Sequence, residues 1–163
     1  MSTWWQEVWD TLRDEFSDLP DAGRATRIVL RLSVAAILGG ALGFEREQKG
    51  KSAGLRTHML VAIGAALFVL IPQQAGVSDA DLSRVLQGLV AGVGFLGAGT
   101  IIKGSGEEEP KGLTTAAGIW LTAAIGVAAG MGRESTAVLS TVLALVILAM
   151  HPKVTGFFEK RGS

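Results

Sequence analysis

Residues 43–57, with the sequence GFEREQKGKSAGLRT, could carry chemistry because they place six charged side chains between two long apolar runs. The stretch closes with the motif GLxT at residues 54–57, and the same motif returns at residues 112–115. Each GLxT would start a helix with free backbone N–H groups beside a hydroxyl group, an arrangement that suits an anion. A headgroup phosphate, a free phosphate or a nucleotide would be the expected ligand.

The residues that most enzymes use are scarce in this chain. It has no cysteine, and its only imidazoles are His58 and His151. The sequence contains no Ser-His-Asp constellation, zinc-ligand spacing or phosphate-binding P-loop. We therefore expect neither enzymatic activity nor a tightly bound cofactor. The formal net charge is zero and no nucleic-acid motif occurs, so no nucleic-acid partner is expected.

The elements that must position these polar residues are apolar helices. The 163 residues are 48% hydrophobic and 18% charged, and the charges are segregated. Uncharged windows cover residues 57–78, 85–102, 112–132 and 135–150, and a fifth apolar segment covers about residues 27–44. Most are long enough to cross a hydrocarbon core, which takes roughly 17–25 helical residues. The sequence predicts an all-α integral membrane protein with five transmembrane helices.

Two segments flank this transmembrane domain, which we place at residues 21–152. Residues 1–20 predict an amphipathic helix, because Trp4, Trp5, Trp9, Leu12 and Phe16 recur at helical spacing. Tryptophan is typical of headgroup depth, which favours an interfacial helix; packing on a protein partner is the alternative. Residues 153–163 form a short basic tail.

Basic residues indicate the orientation. Nine Lys and Arg residues lie on the side of the hairpins after the first and third spanning segments and of the tail, against six on the other side. The count favours an outside amino terminus and a cytoplasmic carboxyl terminus. Arg24, Arg27 and Arg31 form a stripe near the start of the first segment, where they would reach lipid phosphates or line an anion-attracting vestibule.

The chain contains an internal repeat. The pattern GxLGx5KG occurs at residues 40–50 and at residues 94–104, and each copy is followed by GLxT. Because two spanning segments separate the copies, both face the same way, as in transporters with parallel duplications. The repeat predicts that the two charged hairpins lie on one side of the membrane and flank one another.

Small residues recur every three or four positions and allow helix backbones to approach closely. From this density we expect a homodimer that packs through small-residue faces. The cluster GVGFLGAGT at residues 92–100 also predicts a local break or kink in the third spanning segment. The packing glycines are Gly39, Gly43, Gly92, Gly94, Gly97, Gly99 and Gly118.

Three stretches together resemble the MgtC/SapB membrane domain: GFEREQKGKSAGLRTHMLVAIGAALF, VAGVGFLGAGTIIK and KGLTTAAGIWLTAAIGVAAGMG. The resemblance covers about residues 27–150. It implies a multi-pass protein of the bacterial inner membrane, associated with magnesium limitation and, in some members, with virulence. Magnesium transport, regulation of other transporters and inhibition of the ATP synthase are the activities it suggests.

The resemblance also implies a functional polar set and shows departures from it. His58 stands where MgtC-type members have Asn, and Leu121 where they have Cys. The sequence stops thirteen residues after Met150, whereas those members continue into a soluble domain, so we expect a SapB-like short form. The implied polar set is Glu45, Arg46, Arg56, Thr57, Lys111, Thr114 and Thr115.

Glu45 is the candidate ligand for Mg²⁺, which prefers one or two carboxylates and retains several waters. The hydroxyl groups of Thr57, Thr100, Thr114 and Thr115 could add oxygen ligands, whereas His58 suits softer metals or a hydrogen bond. The alternative is that Glu45 forms an ion pair with Arg56 across the hairpin. The acidic run at residues 107–109 is expected to be a solvated turn.

The sequence therefore favours a protein of magnesium homeostasis, either a Mg²⁺ transporter or channel, with its polar site at the cytoplasmic ends of the first four spanning segments. Two alternatives stay open. One is a non-transporting regulator that binds other membrane complexes, such as a transporter or the ATP synthase. The other is a membrane protein that binds phosphate or another anion.

Overall fold

The computed structural model describes residues 3–15, 17, 21–101 and 111–159. Throughout these residues the regular structure is helical, without a β-strand, which confirms the predicted all-α class. The helices are α1 (Trp4–Glu15), α2 (Ala22–Gln48), α3 (Leu55–Gln74), α4 (Asp79–Ala98), α5 (Leu113–Gly130) and α6 (Glu134–Glu159).

The chain divides into two compact units, Met1–Leu30 and Arg31–Ser163. The first unit contains α1 and the opening turns of α2. Helix α1 has no buried residue, and Trp4, Trp5 and Trp9 are each about two-thirds exposed or more. A helix therefore forms where the tryptophan spacing predicts one, although Phe16 lies outside the described residues.

In the second unit, α3 packs between α2 and α5 at very short range. A Cβ atom built on Gly39 would lie 2.7 Å from the carbonyl oxygen of His58, and one on Gly43 would lie 2.7 Å from the Cα atom of Leu55. On the other side, a Cβ atom on Gly130 would lie 2.5 Å from the carbonyl oxygen of Ala66, and one on Gly126 would meet the carbonyl oxygen of Ala62. Glycine is required at these crossings because the neighbouring backbone occupies the space of a side chain.

The predicted packing glycines do not share one environment. A Cβ atom on Gly97 would meet the Cβ atom of Ala116 at 3.5 Å, and one on Gly118 would meet Nε2 of His58 at 3.6 Å, which are ordinary contacts. Cβ atoms on Gly92 and Gly94 would meet nothing within 4 Å. The closest helix contacts of this unit therefore lie between α2, α3 and α5, whereas Gly92 and Gly94 of α4 face open space.

The core of the second unit consists mostly of small side chains. One cluster joins α2, α3, α5 and α6 and includes Ala35, Ala62, Ala129 and Ala137, all fully buried. A second cluster brings in α4 through Val93, which packs with residues of α3 and α5. Such interfaces are held by dispersion between closely spaced backbones rather than by large interlocking side chains.

Three of the described helices are long and apolar enough to cross a membrane, namely α2, α3 and α5. The apolar described part of α6, Glu134–Met150, is shorter. Helix α4 begins with a charged segment that contains Asp79, Asp81 and Arg84. Large apolar side chains on the outer faces, among them Phe68, Trp120 and Leu139, are half exposed or more, as expected for helices that contact lipid.

The glycine cluster at residues 92–100 contains the carboxyl end of α4, which ends at Ala98. Helix α4 is helical through Ala98, and the backbone N–H of Gly99 donates to the carbonyl oxygen of Phe95 at 3.1 Å. The predicted break therefore corresponds to the end of this helix, and residues 92–98 before it are helical. The glycines coincide with the carboxyl end of α4, where the chain leaves the helix.

Candidate functional site

Glu45 lies near the carboxyl end of α2 and holds two cations. Its Oε2 atom accepts a hydrogen bond from Nε of Arg46, and its Oε1 atom lies 2.6 Å from Nζ of Lys49. The Arg46 side chain is 4% exposed, the Glu45 side chain 19% and the Lys49 side chain 40%. We call these three residues the ion-pair cluster.

The alternative partner from the sequence, Arg56, is exposed and forms no ion pair with Glu45. The reason is that α2 continues to Gln48. Residues 45–48 are therefore a helical turn and not a hairpin, so the side chain one turn after Glu45 belongs to Lys49. The partner of Glu45 is local in sequence, and the prediction of a pair across the hairpin is wrong.

Glu47 caps the amino terminus of α3. Its Oε2 atom accepts a hydrogen bond of 2.8 Å from the backbone N–H of Leu55, the first residue of α3. The N-cap residue Gly54 offers no side-chain acceptor, and a Cβ atom there would lie 2.5 Å from the same carboxylate oxygen. Glu47 thus places a negative charge at the amino terminus of α3, where the helix dipole favours it.

Lys49 connects the ion-pair cluster to α6. Its Nζ atom donates a hydrogen bond of 2.9 Å to the carbonyl oxygen of Leu148 while it also pairs with Glu45. A change in the charge or position of Glu45 therefore reaches α6 through one side chain.

His58 belongs to α3 and is fully buried. Its Nδ1 atom lies 3.0 Å from the carbonyl oxygen of Gly54, and its Nε2 atom has no hydrogen-bond partner in the described part of the chain. Nε2 faces Gly118 of α5, because a Cβ atom built there would lie 3.6 Å away. Within residues 3–15, 17, 21–101 and 111–150, no three His, Asp or Glu side chains converge in a group that could hold a metal ion.

The loop after α2 and the described residues that flank the second predicted hairpin line a shared cleft of about 440 Å³. One wall is the loop after α2, and the opposite wall is the end of α4 with the start of α5. The cleft brings together four of the predicted polar residues, while Glu45, Arg46, Arg56, Thr57 and His58 lie outside its lining. Its polar or charged lining residues are Lys51, Ser52, Thr100, Lys111, Thr114 and Thr115.

Gly112 shapes this cleft. It is the N-cap of α5 and has a φ of 99°, a left-handed conformation that glycine adopts without strain. A Cβ atom on Gly112 would meet the carbonyl oxygen of Thr100 and would lie 3.3 Å from the Cα atom of Ile101. Glycine is needed here so that the start of α5 can lie against the end of α4.

Arg31 has a role that the sequence did not indicate. Its Nη1 atom donates a hydrogen bond of 2.9 Å to the carbonyl oxygen of Gly130, the last residue of α5. The predicted positions, at lipid phosphates or in an anion vestibule, do not describe it. The sequence did contain one indication of this contact. Arg31 is a single arginine one turn inside a spanning segment, and a charge at such a position commonly has a protein partner.

Some predicted features lie outside the described residues. They are the acidic run at residues 107–109, the second KG pair at residues 103–104, and the side chains of the basic tail.

Comparisons with known proteins give consistent similarities. The model of the MgtC family matches residues 32–157. The chain is 42% identical over 135 residues to "Putative magnesium transporter YhiD" of Escherichia coli strain K12, which covers 78% of this chain and 61% of that relative. It is 44% identical over 130 residues to "Protein SrpB" of Synechococcus elongatus, with 73% of this chain and 71% of the relative covered.

A third relative is "Protein MgtC" of Brucella abortus strain 2308, which is 44% identical over 119 residues, with 73% of this chain and 49% of the relative covered. The chain thus spans about three-fifths of the length of YhiD and about half of the Brucella protein. No solved structure matches the chain.

Proposed function

This chain belongs to the MgtC family, and on that premise we propose that it serves magnesium homeostasis in a bacterial inner membrane, without enzymatic chemistry of its own. The name of the Escherichia coli relative refers to magnesium transport. The observation that carries the proposal is the ion-pair cluster, in which a partly buried carboxylate of the long apolar helix α2 is neutralised by two cations. Ionisable groups in such helices are costly and mark ion pathways or relays.

We propose that Mg²⁺ and the ammonium group of Lys49 compete for Glu45. Arg46 is almost fully buried beside the carboxylate and would stay in place, whereas Lys49 is 40% exposed and can withdraw into water. A Mg²⁺ ion needs only one or two carboxylates and keeps most of its waters, so it could replace Lys49 without a complete protein cage. Displaced Lys49 would also release the carbonyl oxygen of Leu148, which couples ion arrival to α6.

We also infer five membrane spans, with α4 and α6 added to the three long apolar helices and the two loops on the cytoplasmic side. Matching contacts support a parallel duplication. The alignment of the two copies pairs Gly43 with Gly97 and His58 with Ala116. A Cβ atom on Gly43 would lie 2.9 Å from Cβ of His58, and one on Gly97 would lie 3.5 Å from Cβ of Ala116.

The test is Mg²⁺ uptake into proteoliposomes loaded with a magnesium indicator. We expect uptake with the wild type, loss with Glu45→Gln, and faster uptake at low Mg²⁺ with Lys49→Gln, since that change removes the competing cation. Arg84→Gln is the matched control, because its ion pair with Asp81 lies exposed at the start of α4. If correctly inserted wild-type protein moves no Mg²⁺, transport is excluded. Regulation of another membrane protein would then be the remaining function.

A second function, regulation by binding another membrane protein or a second copy of the chain, is favoured by the face of α4. Gly88 and Gly92 are one turn apart, and Cβ atoms on them would meet nothing within 4 Å. They lie in an apolar groove with Phe68 and Leu96, both half exposed or more. Another transmembrane helix could approach such a face closely.

The oligomeric state in detergent tests this second function. Gly92→Leu should lower the dimer fraction in a dilution series, whereas Gly64→Leu, at another open glycine on α3, should leave it unchanged. A wild-type protein that stays monomeric at every concentration would exclude the homodimer. The hypothesis of a regulatory function would then require a different membrane protein as the partner.

A further inference from the structure

His58 has one ring nitrogen with a partner and one without. Its Nδ1 atom lies 3.0 Å from the carbonyl oxygen of Gly54, and because a carbonyl oxygen only accepts, Nδ1 carries the proton. The ring is fully buried, and the carboxylates that form ion pairs in the described part of the chain pair with arginine or lysine, not with this ring. A buried charge without a counterion is costly, so the ring is neutral and Nε2 presents a lone pair.

This lone pair has no hydrogen-bond donor among the described residues. Buried side-chain polar atoms of native proteins nearly always have a partner, which is either a protein group or an ordered water. Leaving a buried acceptor without a donor costs its full desolvation free energy. The Nε2 atom of His58 therefore indicates a bound molecule that donates a hydrogen bond to it.

The side of the ring that carries Nε2 faces an open position on α5. A Cβ atom built on Gly118 would lie 3.6 Å from Nε2 and, apart from its chain neighbours and the backbone of its own helix, would meet no other described atom within 4 Å. Further along α5, the backbone of α3 occupies the space of a Cβ atom on Gly126 and on Gly130. The two backbones therefore separate toward the level of His58, which leaves room for a small molecule beside Nε2.

The face of α5 around Gly118 carries hydroxyl groups. Thr115 and Thr122 lie one helical turn before and after Gly118, so they share its face, and both are buried. The hydroxyl group of Thr122 donates to the carbonyl oxygen of Gly118 at 2.8 Å, and its oxygen can still accept a hydrogen bond. A buried water molecule typically makes about three hydrogen bonds, and such a polar face offers it partners besides Nε2.

We propose that His58 and Gly118 form a binding site for one internal water molecule, which donates a hydrogen bond to Nε2 and makes its others with the threonine hydroxyl groups beside Gly118. A metal ion does not fit, since no three His, Asp or Glu side chains form a group among the described residues. The water joins α3 to α5 where their backbones have separated, and it fixes the orientation of the ring. The site does not depend on Mg²⁺ transport, because Glu45 is not part of it.

The first experiment uses the full chain in lipid bilayers, labelled with ¹⁵N at histidine. His58 and His151 are the only histidines, so His151→Gln leaves a single ring to observe. Solid-state NMR should show a proton on Nδ1 and none on Nε2, with magnetisation transfer from water protons to Nε2. A proton on Nε2 instead of Nδ1, or no transfer from water to Nε2, would overturn the proposal.

Variants of Gly118 decide whether the water lies at this position. Gly118→Ala should displace the water, abolish the transfer and leave Nε2 unpaired, whereas the hydroxyl group of Gly118→Ser should replace the water as the donor. The serine variant should therefore have the higher melting temperature of the two.

Gly64 of α3 is the matched control, since a Cβ atom there would meet nothing within 4 Å. Gly64→Ala should melt at or above Gly64→Ser, because alanine is the better helix former, and both should leave the Nε2 signal unchanged. If alanine also melts above serine at position 118, or if Gly118→Ala leaves the transfer from water to Nε2 intact, the proposed water site is refuted.

Discussion

The guanidinium group of Arg31 in α2 donates to the carbonyl oxygen of Gly130 at the carboxyl terminus of α5, over 2.9 Å. The last carbonyl groups of a helix lack intrahelical partners and carry partial negative charge, so a cation there is stabilising. The chain turns away at Gly132, which has a φ of 75° and where a Cβ atom would collide with the guanidinium group. Arg31 thus fastens α2 to the end of α5.

Removal of this contact should destabilise the protein. Arg31→Ala is expected to lower the free energy of unfolding by about 1.5–3 kcal/mol, the range for a hydrogen bond to a charged group. Thermal unfolding in detergent measures the loss, and Arg31→Lys should recover part of it. Arg27→Ala, at an exposed arginine of the same helix, should change stability by about 0.5 kcal/mol or less. Equal effects of the two alanine variants would contradict the role given to Arg31.

Glu45→Gln should leave the buried guanidinium group of Arg46 without its carboxylate. Breaking a buried ion pair on one side costs on the order of 3 kcal/mol, because an uncompensated charge stays buried. Arg84→Ala removes the exposed Arg84–Asp81 pair and should cost about 1 kcal/mol or less. Chemical denaturation of the two variants side by side makes the comparison, and a Glu45→Gln protein as stable as the wild type would show that Arg46 has another partner.

The crossing of α3 and α5 should not tolerate a methyl group. In Gly126→Ala the new Cβ atom would meet the carbonyl oxygen of Ala62, and overpacking of this kind costs about 1–3 kcal/mol. Gly64→Ala is the control, since its Cβ atom would meet nothing within 4 Å and alanine favours helix. We expect a lower melting temperature for the first variant and an unchanged or higher one for the second. A higher melting temperature for Gly126→Ala than for Gly64→Ala would mean that α3 and α5 lie further apart than in this structure.

Glu47→Ala should loosen the start of α3. The loss of a capping acceptor costs about 0.5–2 kcal/mol, and the backbone N–H of Leu55 should exchange its hydrogen faster. Glu47→Gln keeps an acceptor oxygen and should have a smaller effect. Gln48→Ala, at the next exposed position of α2, should leave Leu55 protected. Unchanged exchange at Leu55 in Glu47→Ala would refute the cap.

The sequence predicted the helices well where charge and apolar runs alternate. Helices start at Leu55 and Leu113, within the two GLxT motifs, and Lys51 from the first loop lines one cleft with Thr114 and Thr115. The helix starts are local features, so the spacing of residues alone reveals them.

The partners of charged side chains could not be predicted in the same way. Charges at residues 45–49 look like a loop, whereas α2 continues to Gln48 with one face buried, and this extra turn exchanges Arg56 for Lys49 as the partner of Glu45. The contact of Arg31 with Gly130 joins residues 99 positions apart. Only the tertiary fold, which brings Arg31 of α2 to the end of α5, creates this contact, and no short sequence pattern encodes it.

The placement of α3 between glycine faces has a mechanical consequence. Its backbone contacts α2 at Gly39 and Gly43, and it contacts α5 at Gly126 and Gly130. No side chain of these glycines separates the helices. These three helices can neither slide nor rotate against one another without backbone collision, so they form one rigid frame. Any opening and closing of the protein must therefore be carried by α4, whose Gly88, Gly92 and Gly94 face open space, or by α6, which Lys49 can release.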